Sequence, residues 1–456
     1  MEVTHPYIES LHSLYSISRS KALQISSPVF TELELLSKSV DPLVLRAGAF
    51  GIAALVGVSW VFIARWLRAR QLQRFQKEDA QFEGDIYQKM NYKNAHPILK
   101  RVFFQEFPFS AGFGTQWALV KSYAVPAGTK LLVKTGLLAC PATAGKRAED
   151  TGAIIGELIA NGLDSDRALK ANAKMNWLHQ RYGTKITNGD TIHTMGLFVL
   201  EPIRFIEEKE WRPLSYVEKV AIFVYWRELV HRMGAHDVPE TIEGLQEWMD
   251  EWEPKNMFYD ESNKQCVDAT WALFLRAIPG ASLGMHSFFK KFTATFIQPH
   301  VRPMLGMPDP PKWIEAATDG VFAIRRFLTR NFLLVRTHDI IAEVMEEKNG
   351  RIYRKKFLFE PWYVPETMLT KILSYLPFAS KNLPGPQFKS NGFSPEELGP
   401  LEFEEKSREP ALKQAEELRK YAMTGGSQAH GCPFGKPLKD QSPWYRPPPG
   451  AEPVAA

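Results

Sequence analysis

The chain has 456 residues, 45% hydrophobic and 23% charged, with a formal net charge of +5; this is the balance of a folded globular protein long enough for one large domain or two ordinary ones. Lys and Arg are interleaved with Asp and Glu rather than massed, which leaves no footprint for a nucleic-acid partner. Three widely spaced cysteines, Cys140, Cys266 and Cys432, fit neither a disulfide framework nor a zinc pair and suit a reducing compartment.

In chain order, residues 1–46 are Ser-rich and without sustained periodicity, which predicts a loosely ordered tail. Residues 47–64, AGAFGIAALVGVSWVFIA, carry no charge, and at about 1.5 Å of rise per residue they span roughly 27 Å, close to the hydrocarbon thickness of a bilayer. The stretch begins too far from the first residue for a cleaved signal peptide, so it reads as a single transmembrane helix. Arg46 stands before it, whereas Arg65, Arg68, Arg70, Arg74 and Lys77 follow before the first acidic residue, Glu78. The positive-inside rule then puts the chain after the span on the cytosolic side and the tail in the lumen. Residues 65–96 read as a juxtamembrane helix.

Residues 97–337 read as an all-α domain in which Pro108, Pro126 and Pro141 mark breaks. Within residues 147–183, two helices joined at a turn are expected. The first carries Ile154, Ile155, Leu158 and Ile159 on one stripe, and the second carries Ala171, Met175, Leu178 and Tyr182 at helical spacing. A buried helix ending near Glu201, just before Pro202, comes next. Ser215 is a good N-cap for a helix reaching Met233, with Gly234 as its stop. Further helices are expected in ETIEGLQEWMDEW, KQCVDATWALFLRAI, MHSFFKKFTATFI and KWIEAATDGVFAIRRFLTRNFLL. Residues 338–456 read as a C-terminal extension with charged helices over 339–348 and 410–423 and a disordered Pro-rich end over about the last thirty residues.

Of eleven histidines, His5, His12 and His430 lie in the expected tails. Glu228-x-x-His231 has the spacing of a di-iron pair, but the second such pair, Glu9 and His12, lies across the membrane span. His231 and His236 share no helical face. The His-Glu-x-x-His, Cys-x-x-Cys-His, Gly-x-Ser-x-Gly, P-loop and dinucleotide patterns are absent. Cys432 lacks the preceding Phe and Gly of a thiolate haem loop, since Gly425 and Gln428 occupy those places. What remains is His179, beside an apolar helix stripe and after a basic, hydroxylated entry at Arg147 and Thr151. From the residues alone it is either a satisfied core histidine or a ligand to a metal or haem iron, and Arg147, Asp150 and Thr151 are either surface and capping groups or parts of that site.

The runs KRAEDT and SDRALKANAKMNWLHQRYG, then GDTIHTMGLFVLEPIRFIEEKEWRPLSYVEKVAIFVYWRELVHRMGAHDVPE, and later HVRPMLGMPDPP resemble the fungal endoplasmic-reticulum-bound oxygenases of the mpaB type. Those share a catalytic domain with the rubber oxygenases, or latex clearing proteins. The resemblance implies an all-α, multi-helix haem-binding domain with haem b held by one axial histidine, here His179. It also implies an Arg-x-x-Lys-Thr motif on the oxygen-binding side, which Arg147, Asp150 and Thr151 match except that Asp150 replaces the lysine. An ionised carboxylate accepts but does not donate hydrogen bonds, so Asp150 cannot act as an ammonium would. Arg147 could instead pair with a haem propionate.

The expectation is therefore an endoplasmic-reticulum-anchored, haem- and O2-dependent oxygenase acting on a hydrophobic prenyl, terpenoid or lipid-like small molecule, with oxidative cleavage of a C=C bond as one outcome. Two alternatives stand beside it: a haem-binding or sensing membrane protein without turnover, which the loss of the lysine at Asp150 would favour, and a membrane-tethered interaction module without cofactor. The sequence assigns no oligomeric state.

Overall fold

A computed structural model describes residues 42–138, 140–277, 286–375, 382–427 and 433. Residues 1–41 of the expected N-terminal tail, Cys432 and nearly all of the Pro-rich end lie outside the described residues, whereas residues 42–46, expected in that tail, are already helical. Those described are almost entirely helical, with sixteen α-helices and a single two-stranded sheet, so the fold is all-α.

Helix α1 (Pro42–Asp79) carries the uncharged stretch and continues past the arginines without a break. It is, among the described residues, the one helix long and apolar enough to cross a membrane, and its apolar window is 6% buried. Residues 42–70 form one compact unit with Arg330–Leu334. Inside it, Trp60 Nε1 donates to the Phe332 carbonyl at 2.8 Å and Arg68 Nη2 to the Leu333 carbonyl at 2.7 Å.

The second unit holds the described residues of Gln71–Thr329 and those from Val335 onward. After a single turn, α2 (Ile86–Lys89), it contains α3 (Tyr92–Lys100), α4 (Pro108–Ser122), α5 (Pro126–Thr135), α6 (Pro141–Ala160), α7 (Asp166–Gln180), α8 (Asn188–Lys209) and α9 (Tyr216–Arg232). Then come α10 (Ile242–Asn256), α11 (Glu261–Ala277), α12 (His286–Ala294) and α13 (Lys312–Asn331). The three prolines read as breaks open α4, α5 and α6, where a missing N–H costs nothing. Ser215 caps α9 with a capping box closed by Glu218.

Most of these helices meet at one core that includes Leu99, Leu158, Ala171, Val199, Ile206, Phe223 and Leu229. A second, aromatic cluster, with Trp117, Phe205, Trp271, Phe296 and Phe322, joins α4, α8, α11, α12 and α13.

Three local expectations are corrected. The helix expected to stop near Glu201 continues as α8 to Lys209, with Pro202 inside it. Proline breaks one hydrogen bond, but Ile203, Phe205 and Ile206 behind it are buried, and a Cβ on Gly114 of α4 would sit 2.6 Å from Pro202 Cα. Close packing on α4 thus overrides the proline's cost of about 3 kcal/mol. The charged helix expected over 339–348 is one turn, α14 (Ile341–Val344), followed by β1 (Met345–Lys348) paired antiparallel with β2 (Arg351–Arg354). Asn349 and Gly350 have φ of 54° and 70°, the backbone of an Asn-Gly hairpin turn. The helix expected from Pro410 starts earlier, as α16 (Glu404–Met423), after a short α15 (Met368–Ser374).

Described residues after 337 pack into the core of the second unit. Ile352, Trp362, Tyr363, Phe393 and Leu398 belong to the main core, and Ala411, Ala415 and Leu418 of α16 close on Leu169 and Ala173 of α7.

Candidate functional site

The site is built on α6 and α7. Glu157 of α6, fully buried, takes a two-pronged ion pair from Arg167 of α7, with Nε and Nη2 donating at 2.7 and 2.6 Å. This fork fixes the two helices against each other. Ser165 caps α7 by accepting from the Ala168 N–H. Asn176 Nδ2 donates to the Arg232 carbonyl at 2.8 Å, tying α7 to the end of α9. From the C-terminal segment, the Leu358 and Phe359 N–H groups and Arg354 all donate to Glu149 of α6.

His179 lies in the last turn of α7. Its pKa is lowered to about 4, first by desolvation and then by the positive charge of Arg147, so the imidazole is neutral at ordinary pH. Arg147 and Thr151 are one helical turn apart on α6. Arg147 Nη1 donates to Thr151 Oγ1 at 2.6 Å, and Thr151 Oγ1 donates to the Arg147 carbonyl at 2.8 Å, which braces the guanidinium along its own helix. The fold thus brings Arg147, Thr151 and His179 into one neighbourhood.

Asp150 is placed elsewhere. It is 1% exposed, accepting from Lys146 Nζ at 2.7 Å and from the Tyr363 hydroxyl at 2.6 Å. Lys146 in turn donates to the Gly399 carbonyl at 2.6 Å and lies over the Trp362 ring. Residues 146 and 150 share the face of α6 that looks to the C-terminal segment, about 100° around the helix from 147 and 151. The Asp150 carboxylate, standing where the resemblance implies a lysine, therefore serves a buried ion pair.

Sequence reasoning missed Tyr123, which follows α4. Burial raises its phenol pKa, while the Thr270 hydroxyl, donating to it at 3.4 Å, and the Arg147 charge act the other way. Arg147 thus acts electrostatically on groups from two further helical segments. Cys266, on the same helix as Thr270, is buried and its thiol is pushed up to about 12 by desolvation. No spacing in the sequence links Tyr123 to Arg147.

The remaining candidate histidines have structural partners. His231 Nδ1 lies 3.2 Å from the Ala235 carbonyl, Glu228 pairs with Arg232 Nε at 2.8 Å, and the His236 ring contacts Asp237. Among the described residues no group of three or more His, Cys, Asp or Glu side chains could hold a metal ion.

A family profile described as the catalytic domain of the ER-bound oxygenases mpaB and mpaB′ and of rubber oxygenase matches residues 143–330, which span α6 to nearly the end of α13. The chain is 28% identical over 403 residues to the ER-bound oxygenase mpaB′ of Penicillium brevicompactum, covering 83% of this chain and 92% of that protein. It is 31% identical over 267 residues to the ER-bound oxygenase mpaB of Penicillium roqueforti, covering 56% and 89%. With the mpaB of Penicillium brevicompactum it shares 34% over 201 residues, covering 41% and 51%. An all-α fold that sets His179, Arg147 and Thr151 together inside the matched region, and similarity extending over most of two relatives, lead to one conclusion: the chain belongs to the family of ER-bound mpaB oxygenases, which shares its catalytic domain with rubber oxygenase, and is an oxidoreductase of the oxygenase class.

Proposed function

We propose that this oxygenase uses haem b, which His179 would hold, and that it oxidises a hydrophobic prenyl, terpenoid or lipid-like chain, cleaving it at a C=C bond. It would be anchored in the endoplasmic-reticulum membrane by residues 47–64, as a single-pass protein with the catalytic domain on the cytosolic side.

The reading is carried by the placement of His179 in the last turn of α7, within reach of the Arg147 charge, with that guanidinium braced by Thr151. The donor set suits haem. A metal held by protein alone needs several side chains, and among the described residues no such cluster exists, whereas haem would need as little as one protein ligand, which His179 would supply. Haem, when bound, supplies an iron that activates dioxygen. The chain's own residues do the rest. His179, neutral, offers a ring nitrogen. Arg147 offers a cation suited to a propionate and is held to its helix by Thr151. Glu157 and Arg167 keep α6 and α7 in register.

The anchor is supported by the exposed apolar surface of α1, by the arginines that follow it, and by the word "ER-bound" in the relatives' names. A long hydrocarbon substrate gains about 0.8 kcal/mol per buried methylene and so concentrates in the bilayer that such an anchor would enter. The sensor alternative draws its support from Asp150, and the ion pair with Lys146 accounts for that residue instead.

The test of activity is incubation of the full-length, haem-supplied protein with polyprenyl and terpenoid chains under labelled dioxygen. Labelled carbonyl fragments are expected; a haem-loaded protein that consumes no oxygen with any such chain contradicts the reading. Topology is tested with glycosylation acceptors placed before residue 46 and after residue 97. Only the first is expected to carry glycan in microsomes.

A further inference from the structure

Helix α13 is anchored along a narrow inner face and leaves an apolar face uncovered. Ile314, Thr318 and Phe322 point inward. Arg325 Nη1 pairs with the buried Glu210 at 2.9 Å, and Asp319 takes Lys209 Nζ at 2.9 Å, which fixes the helix to the end of α8. On the outside, Trp313 is 63% exposed, Val321 64%, Ile324 62%, Phe327 59% and Leu328 44%. At about 100° per residue, these five with Ala316, Ala317 and Gly320 fall within a continuous arc of roughly 140° that contains no charge. Lys312, Arg326 and Arg330 line one border of the arc, with Asp319, paired to Lys209, between them.

A soluble face would not be built this way. Singly exposed apolar side chains are ordinary, but an unbroken stripe with two aromatics and a mainly cationic border along one side is the pattern of a helix lying in a membrane interface. The chain leaving α13 carries the same character. Phe332, Leu333 and Leu334 are exposed, and the carbonyls of the first two accept from Trp60 and Arg68 of α1, around the end of the uncharged stretch.

We propose that the outer face of α13 is a second membrane contact, lying in the cytosolic headgroup region with Trp313, Ile324 and Phe327 in the acyl boundary and Lys312, Arg326 and Arg330 against anionic headgroups. Cationic borders are complementary to that leaflet. The contact would hold the catalytic domain against the bilayer, where a hydrophobic substrate resides. The inference rests on the reading of residues 47–64 as a span, and it adds a fixed posture to a bare tether.

The test uses the full-length protein, with Cys140 and Cys432 replaced by serine, reconstituted in phosphatidylcholine–phosphatidylserine vesicles. An environment-sensitive fluorophore is attached in turn at Ile324→Cys, Phe327→Cys, Leu55→Cys and Lys413→Cys, and quenchers are carried on the lipid chains. Ile324 and Phe327 are expected to give blue-shifted emission that loses most of its intensity to the lipid quencher, as at Leu55, with Lys413 unchanged. Water-like emission at Ile324 and Phe327 alongside quenching at Leu55 overturns the inference and leaves the span standing. Blue-shifted emission that the lipid cannot quench means that protein, a second copy included, covers the face, and overturns it too. No quenching at Leu55 removes the span reading itself.

Discussion

Asp150 and Arg147 lie on one helix and face different work. Asp150 is bound to Lys146 and Tyr363 in a dry setting, and removing one partner of a buried ion pair strands the other charge. Asp150→Asn is expected to lower stability by about 3 kcal/mol in chemical denaturation while leaving haem content per folded chain unchanged. A loss of haem without loss of stability would place Asp150 in the site after all. His231 supplies a pH signature. Its pKa is lowered to about 4 by burial and then by Arg227, against roughly 6.5 in the unfolded chain. The folded state thus binds fewer protons between those values, so stability is full above pH 6.5 and falls as pH drops toward 4, by at most about 3 kcal/mol. In His231→Gln that part of the acid slope should vanish, as followed by thermal melting across the window. His179 could be singled out from sequence only once the resemblance was added to elimination, which removes the tail residues His5, His12 and His430 and the di-iron pair at Glu228-x-x-His231 but leaves other histidines standing. The partnership of Asp150 with Tyr363 could not, since those residues are far apart in the chain and meet only through the fold.

Among the elements, helix existence was legible and helix ends less so. Ser215 marked the start of α9, while Pro108, Pro126 and Pro141, read only as breaks, open α4, α5 and α6, because such signals act through the first turn's own unpaired N–H groups. The run of α8 through Pro202 was not legible, since it depends on α4 lying against it. That dependence can be measured. Gly114→Ala places a Cβ 2.6 Å from Pro202 Cα and should cost roughly 1–3 kcal/mol by urea denaturation. Gly112→Ala, with nothing within 4 Å, should be neutral or stabilise by up to about 1 kcal/mol. Equal effects would mean that α4 and α8 do not pack this closely. The β1–β2 hairpin was hidden by the charge of its flanks, although Asn349-Gly350 was a readable turn signal.

For the molecule as a whole, the all-α class was legible from periodicity, and resemblance supplied the family. The role of the C-terminal chain was not, because its apolar residues are scattered singly among loops, without period. Trp362, Tyr363, Phe393 and Leu398 are nevertheless at most 7% exposed. Their burial is worth roughly 6–12 kcal/mol at about 1.5–3 kcal/mol each, comparable to the whole stability of a domain. A chain ending at residue 337 should therefore fail to fold, as read by limited proteolysis; a protease-resistant, haem-binding truncation would refute this. Everything proposed for the oxygenase's chemistry turns on His179 holding haem. That is decided by comparing haem content and the ferrous absorption spectrum of full-length wild-type and His179→Ala proteins, prepared alike and matched for folded fraction by circular dichroism. Haem b near one per chain in the wild type, with loss of haem or of the histidine-ligated ferrous spectrum in the variant, is the expected result. A His179→Ala protein that keeps both the stoichiometry and the same ferrous spectrum contradicts it.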